Sequence, residues 1–118
     1  MGYVSESIAE PTRVKTLPNQ LTKKLYCGSN YSAVITQFNR LLVAGEMDGG
    51  KLGIGKAHLS GNCLSFREVP KLVNVKQVAC GPNHMLAICE GKSGVNETYS
   101  WGRNWCGQLG LGNFTDQY

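Results

Sequence analysis

The chain has 118 residues, 42% of them hydrophobic and 17% charged, a makeup that suits one small globular domain and excludes a disordered one. Fifteen glycines against four prolines, with no Gly-x-y period, exclude collagen-like structure and point to many tight turns or close backbone approaches. No apolar run approaches the ~18 residues of a membrane span, and the net charge of +4 is scattered rather than clustered as on a nucleic-acid surface.

In chain order, Met1 to Glu10 carries neither the basic flank nor the apolar core of a signal peptide. Val14 and Leu17, close behind Pro11, suit an irregular or edge strand, where the missing proline N–H does no harm. Leu25-Tyr26-Cys27 reads as a short strand and Gly28-Ser29-Asn30 as a turn. Ser32 to Thr36 is small, apolar and partly β-branched, which suits a strand buried on both faces. Leu41-Leu42-Val43 supplies another strand before the glycine-rich stretch Gly45 to Gly55. The pattern then begins again. Val69 and Leu72 flank Pro70 as a second irregular strand, Val75 to Cys80 is a strand, and Gly81-Pro82-Asn83 is a turn. Leu86 to Cys89 is a strand, Glu90 to Gly94 a longer hairpin loop, and Thr98 to Trp101 a strand that leads into Gly102 to Gly112. No segment sustains a 3.6-residue apolar period, so the expected class is all-β. The five cysteines (Cys27, Cys63, Cys80, Cys89, Cys106) are odd in number and form no C-x-x-C pair, which suits reduced thiols in an intracellular compartment.

Internal repetition organises the whole chain. Lys23 to Tyr31 overlies Lys76 to His84 at an offset of 53, matching Lys, Cys, Gly and Asn. Gly45 to Gly55 overlies Gly102 to Gly112 at an offset of 57, matching four glycines and a leucine; the extra residues fall in the Glu90–Gly94 loop. The expected organisation is the end of a preceding repeat at 1–2, a first repeat over 3–55, a second over 56–112 and the start of a further one at 113–118. Such a period, with about four short strands and glycine-rich corners, fits a propeller blade, and two blades cannot close a ring of ~4–8. The expected architecture is therefore a partial β-propeller of about two blades of four short strands each, a piece of a larger ring.

Several residues imitate catalytic or binding motifs. Gly50 to Lys56 spells G-x-x-x-x-G-K, but Ala57 stands where a phosphate loop needs Ser or Thr, no helix pattern follows, and the second copy reads Gly112-Asn113. The glycines belong to the repeat and the lysine does not. His84 beside Cys80 and Cys89 lacks zinc spacing, and Tyr31 takes the histidine's place in the other copy. His58 reads as a loop residue. Glu46 and Asp48 could form an acid–base pair, though a solvated turn is the simpler expectation. No catalytic residue, metal site or cofactor is expected.

The strings Val78-Ala79-Cys80-Gly81-Pro82-Asn83-His84, Tyr99-Ser100-Trp101-Gly102-Arg103-Asn104 and Gly107-Gln108-Leu109-Gly110-Leu111-Gly112 closely resemble the repeat of the regulator of chromosome condensation family, which builds seven-bladed β-propellers. The first repeat departs from that pattern: Tyr31 replaces the histidine, Ala44 the tryptophan and Lys51 the glutamine. The resemblance makes Gly28, Gly45, Gly50, Gly53, Gly55, Gly81, His84, Trp101, Gly102, Gly107, Gln108, Gly110 and Gly112 the structural repeat motif, with Trp101 packed between blades. Trp105 falls in the family's most variable turn and is a candidate partner contact.

The resemblance also implies a non-catalytic protein-interaction scaffold in a small-GTPase regulator, since some members promote guanine-nucleotide exchange on a Ran-type GTPase. No residue here matches the wedge that does so. Gly50 to Gly55 followed by a longer connection and Val75 to Gly81 is most similar to the family's ciliary GTPase regulators, which implies a ciliary or centrosomal address. The alternatives are an accessory repeat domain of a ubiquitin ligase or protein kinase, or a chromatin-binding module.

Overall fold

The structure, a computed structural model, describes residues 10–15, 17, 22–55 and 61–118. Met1-Gly2, expected as the end of a preceding repeat, lies outside the described residues, as do Lys56, Ala57 and His58. The regular structure is all-β: β1 (Thr22–Cys27), β2 (Tyr31–Thr36), β3 (Leu41–Glu46), β4 (Asn62–Glu68), β5 (Val75–Cys80), β6 (His84–Glu90) and β7 (Asn96–Gly102). They form two antiparallel meanders, one in the order β1-β2-β3-β4 and one in the order β5-β6-β7. The repetition seen in the sequence extends to detail. Both β1 and β5 carry a register irregularity at the same point, around Lys23 and Lys76.

The two sheets stack, and the core lies between them. From the first sheet come Tyr31, Ala33, Ile35, Leu41 and Val43, and from the second Val75, Val78, Met85, Ala87 and Trp101. Along β2, β3 and β6 these residues sit two apart, as the pleat requires of side chains that share a face, whereas Val75 and Val78 of β5 sit three apart across its register irregularity. Every residue of β2 is buried, because it is a central strand in a sheet covered on both faces. β6 instead alternates, with Met85, Ala87 and Cys89 buried and His84, Leu86, Ile88 and Glu90 half-buried. Covering only one face of a strand leaves this period of two.

Two expectations change. Val14 and Leu17 lie outside any strand, and Val69–Leu72, expected as the matching irregular strand, is not one. Around Pro70 the chain turns, and Val69 and Leu72 are buried as plugs at the edge of the core, 3% exposed each. The Val69 N–H donates to the Leu41 carbonyl (2.9 Å), so the turn is anchored to the first sheet. The strand lies just before it, at Asn62–Glu68. Only Cys63 of β4 is buried, so the segment has no apolar alternation to announce it and is held by backbone pairing with β3. That fourth strand lies beyond Gly55, so the first sheet draws on both sequence periods. The second sheet has three strands among the described residues, followed by an isolated bridge from Gly102 to Gln117.

Glycine is required where β3 and β7 end. Gly45 has φ +118° and Gly102 φ +108°, and a methyl group on either would stand 2.5 Å from a carbonyl oxygen, of Asn30 and Asn83 respectively. A side chain cannot occupy that space, and the conformation itself disfavours L-residues.

Candidate functional site

The residues singled out from the sequence gather at the junction of the two sheets and in the loop beyond β7. Each Cys-Gly corner is closed by the residue three positions on. The Tyr31 ring lies over Gly28 and the His84 ring over Gly81, each so close that a methyl group on the glycine would collide with it. Tyr31 is almost wholly buried and spans the junction, its hydroxyl 2.6 Å from the Gly81 carbonyl oxygen and 3.0 Å from that of His84. Burial pushes its ionisation far above the usual tyrosine range, so it remains a donor.

Trp101 reaches back across the same junction. Its Nε1–H donates to the Lys51 carbonyl oxygen (3.0 Å), and the indole lies against Gly53, where a methyl group would stand 2.7 Å from Nε1. Gly50 and Gly53 adopt φ of +74° and +68°, which lets the loop pass under the indole. The Gly102–Gly112 loop repeats this path, with Gly107, Gly110 and Gly112 also at positive φ and Gln108 accepting from the Cys106 N–H (3.0 Å). Gly55 has φ +102° and open space around it.

Lys51 is more than a departure from the repeat pattern. Its side chain is 1% exposed, with Nζ 2.5 Å from Glu46 Oε2 and 3.4 Å from the Ser29 and Pro82 carbonyl oxygens. It also sits 5.2 Å from the centre of the Tyr31 ring. A buried ammonium needs this full set of partners, since unpaired burial is costly. Glu46 is therefore half of an ion pair rather than a solvated turn residue. The signal in the sequence was that Tyr31, Glu46 and Lys51 all differ from the second copy's His84, Arg103 and Gln108 together.

The hydrogen bond and charge of Lys51 hold the Glu46 carboxyl below its ordinary value of 4.5. A depressed carboxylate contributes stability above the unfolded-state value and loses it as pH falls through the folded-state value. Thermal melts of the wild type and Glu46→Gln should therefore differ clearly at pH 7 and converge as pH drops below about 4.5. A difference that persists unchanged at acid pH would show that the ion pair is not its source.

A second polar centre escaped the sequence reading. Asn104 is fully buried, and its Oδ1 accepts from the Leu109 N–H (3.1 Å). Its Nδ2 lies 2.9 Å from the Asn113 carbonyl oxygen, 3.0 Å from Asn113 Oδ1 and 3.0 Å from the Thr115 carbonyl oxygen. Its backbone N–H donates to Asp116 Oδ1 (2.8 Å). One side chain thus ties together the loop that carries Trp105. Trp105 itself is 67% exposed, with the Arg103 guanidinium 4.3 Å above its ring. Phe114, on the same loop, is also exposed, as is Leu111.

Among the described residues no group of three or more His, Cys, Asp or Glu side chains is placed to hold a metal ion. Burial pushes the Cys80 and Cys89 thiols up, away from the thiolate a nucleophile needs. Glu46, held ionised by Lys51, is poorly suited to act as a general acid.

No family model matches the chain. It is 39% identical to the X-linked retinitis pigmentosa GTPase regulator of Homo sapiens, over 80% of this chain and 9% of that protein. It is 32% identical to the ultraviolet-B receptor UVR8 of Arabidopsis thaliana, over 95% of this chain and 24% of the receptor. With the serine/threonine-protein kinase Nek9 of Xenopus laevis it shares 33% over 95% of this chain and 12% of the kinase. The chain thus spans no more than a quarter of the length of these relatives. Among solved structures, yeast RCC1 (Prp20) bound to Kap60 superposes with a TM-score of 0.81 and 23% identity, covering 99% of this chain and 28% of that one. A second structure, of Prp20p from Saccharomyces cerevisiae, gives the same TM-score at 22% identity, over 99% of this chain and 29% of that one. Two stacked meanders with duplicated glycine corners, a junction tryptophan, relatives with the same repeat and a shared fold together place the chain in the regulator of chromosome condensation repeat family.

Proposed function

We propose that the chain is a non-catalytic interaction scaffold, two repeats of a β-propeller that serve in a small-GTPase regulator. The observation that carries this reading is the division of labour among its polar and aromatic groups. Lys51, Glu46, Tyr31, Asn104 and Trp101 are spent on internal contacts, whereas Trp105, stacked under Arg103, faces outward on a loop held in shape from below. Rigid scaffolds that present loops are where propellers recognise partners. The repeats run over 3–55 and 56–112, with 1–2 and 113–118 belonging to neighbouring repeats.

The names of the relatives support a GTPase partner. One is a GTPase regulator, and the Prp20p structure is described with binding to Gsp1p and histones. A chromatin partner therefore has some support too, though scattered charge favours it less. Kinase and ubiquitin-ligase relatives, Nek9 and HERC2 of Homo sapiens, favour the second reading, an accessory repeat domain within an enzyme. No helix among the described residues is long and apolar enough to cross a membrane. Action inside the cell, in the cytoplasm or nucleus, with a cilium or centrosome as the address that resemblance to the GTPase regulator adds, completes the proposal.

The test is binding to a panel of Ran-type and other small GTPases, each nucleotide-free, GDP-bound or bound to a non-hydrolysable GTP analogue. Trp105→Ala should weaken the interaction about tenfold, or ~1.4 kcal/mol, with the thermal melt unchanged. Failure to bind any GTPase in any nucleotide state would turn the reading toward the accessory domain. Nucleosome binding that survives modest salt would turn it toward chromatin.

A further inference from the structure

We infer that Arg103, stacked on Trp105, is the residue that recognises a single carboxylate, an aspartate or glutamate set among apolar side chains on a protein partner. This assignment rests on the scaffold reading and holds whether or not the partner is a GTPase.

The two repeats put Glu46 and Arg103 in the same place. Each backbone N–H donates at 2.8 Å to the carbonyl oxygen of the corner asparagine, Asn30 for Glu46 and Asn83 for Arg103. From there the side chains part. Glu46 is taken up by the buried Lys51. In the second repeat the place of Lys51 belongs to Gln108, whose side-chain oxygen already accepts from the Cys106 N–H. Arg103 therefore has no partner in its own repeat. Among the described residues its guanidinium makes no hydrogen bond and no ion pair, whereas Arg40 is paired with Glu68.

The guanidinium is unspent, yet it is held. Its stem crosses to the first repeat's glycine loop, where a methyl group on Gly49 would stand 2.5 Å from Cγ and 2.7 Å from Nε. Its Cζ lies 4.3 Å from the centre of the Trp105 ring. A planar group pinned by its stem and stacked on a ring has little freedom left to lose on binding, and its terminal nitrogens form a fork that matches a carboxylate. Trp105 is the platform and Arg103 the group that reads.

The surroundings decide between a carboxylate and a polyanion. From Gly102 to Tyr118, Arg103 is the only cationic side chain, and Trp105, Leu111 and Phe114 are exposed on the same loop. The one acid there, Asp116, accepts from the Asn104 N–H. A nucleic-acid backbone is bound by several cations in succession, which this loop lacks. One charge in an apolar frame suits a protein surface, where the frame excludes water from the ion pair.

The test selects random short peptides, displayed on phage, against the whole chain. The recovered peptides should share one Asp or Glu beside aromatic or branched residues, and Arg103→Gln should no longer recover them. For one such peptide, exchanging its acid for the amide should weaken binding to the wild type at least about tenfold and leave binding to Arg103→Gln nearly unchanged, as a direct pair requires. Arg103→Lys keeps the charge without the fork and should also lose about tenfold. Trp105→Ala should lose a similar amount but add little to Arg103→Gln. All three variants should melt close to the wild type, since neither side chain is buried. Peptides without a common acid, or no recovery at all, would overturn the inference. So would tighter Arg103-dependent binding of a single-stranded oligonucleotide, or of the same peptide with phosphoserine in place of its acid, because the site would then be one for phosphate. If the carboxylate pairing holds while no GTPase binds in any nucleotide state, the inference stands and only the GTPase reading fails.

Discussion

Trp101→Ala should be the most damaging single substitution among the described residues, costing about 3–5 kcal/mol, the range for aromatic-to-alanine changes in cores. The indole is 6% exposed and joins two sheets that share no backbone hydrogen-bond ladder. Removing it opens a cavity in the middle of the junction and leaves the Lys51 carbonyl oxygen without its donor. Domains of this size have total stabilities of about 5–15 kcal/mol, so the loss is a large fraction of the whole. Trp101→Phe separates packing from hydrogen bonding. It keeps most of the buried area and gives up the N–H, so it should cost roughly 1–3 kcal/mol. Urea unfolding followed by far-ultraviolet circular dichroism measures both. An alanine variant within about 1 kcal/mol of wild type would mean that the sheets are held together without the indole.

Asn104 is the second site of large effect, and its two variants should rank in an unusual order. Asn104→Ala leaves the Leu109 N–H without its partner in a buried position, and takes from the half-buried Asn113 and Thr115 carbonyl oxygens a donor that water can only partly replace. At about 1–3 kcal/mol for each unsatisfied group, with partial relief by water, a total near 3 kcal/mol is expected. Asn104→Asp is nearly the same shape, yet it replaces a donor amide with a carboxylate facing three oxygen acceptors. It should therefore be at least as harmful as alanine. The damage should begin locally, as faster proteolysis between Cys106 and Phe114 while the strands persist. An aspartate variant with wild-type stability and loop protection would remove the amide from its assigned role. Because the loop carries Trp105, both variants should also weaken whatever contact Trp105 makes, which separates its positioning from its chemistry.

Backbone-level features were legible in the sequence because each leaves a local mark. The glycines at positions 45 and 102 stand where a methyl group would strike a carbonyl oxygen, and no other residue type tolerates that place. Ser32–Thr36 read as a doubly buried strand because small and β-branched residues fill the middle of a covered sheet. The offsets between the two copies, with the longer hairpin after β6, carried the repeat and with it the all-β class. The repeat family followed from the same strings.

What tertiary structure alone decided concerns residues whose conformation or partners come from elsewhere in the chain. β4 is a strand because the edge of β3 pairs with it, while its own side chains, apart from Cys63, are solvent-facing or only half-buried. Val69 and Leu72 read as an irregular strand, but they are buried from a turn, because Pro70 sits where the chain must change direction. Lys51 is charged on the page and buried in the molecule, since only the stacking of two sheets brings Pro82 to a residue that already holds Glu46. Asn104 looks like one more polar turn residue until the chain returns through Asn113, Thr115 and Asp116 to surround it. A strand's periodicity and a glycine's freedom are properties of a few neighbouring residues, whereas a buried ion pair or amide depends on groups that folding alone brings within reach.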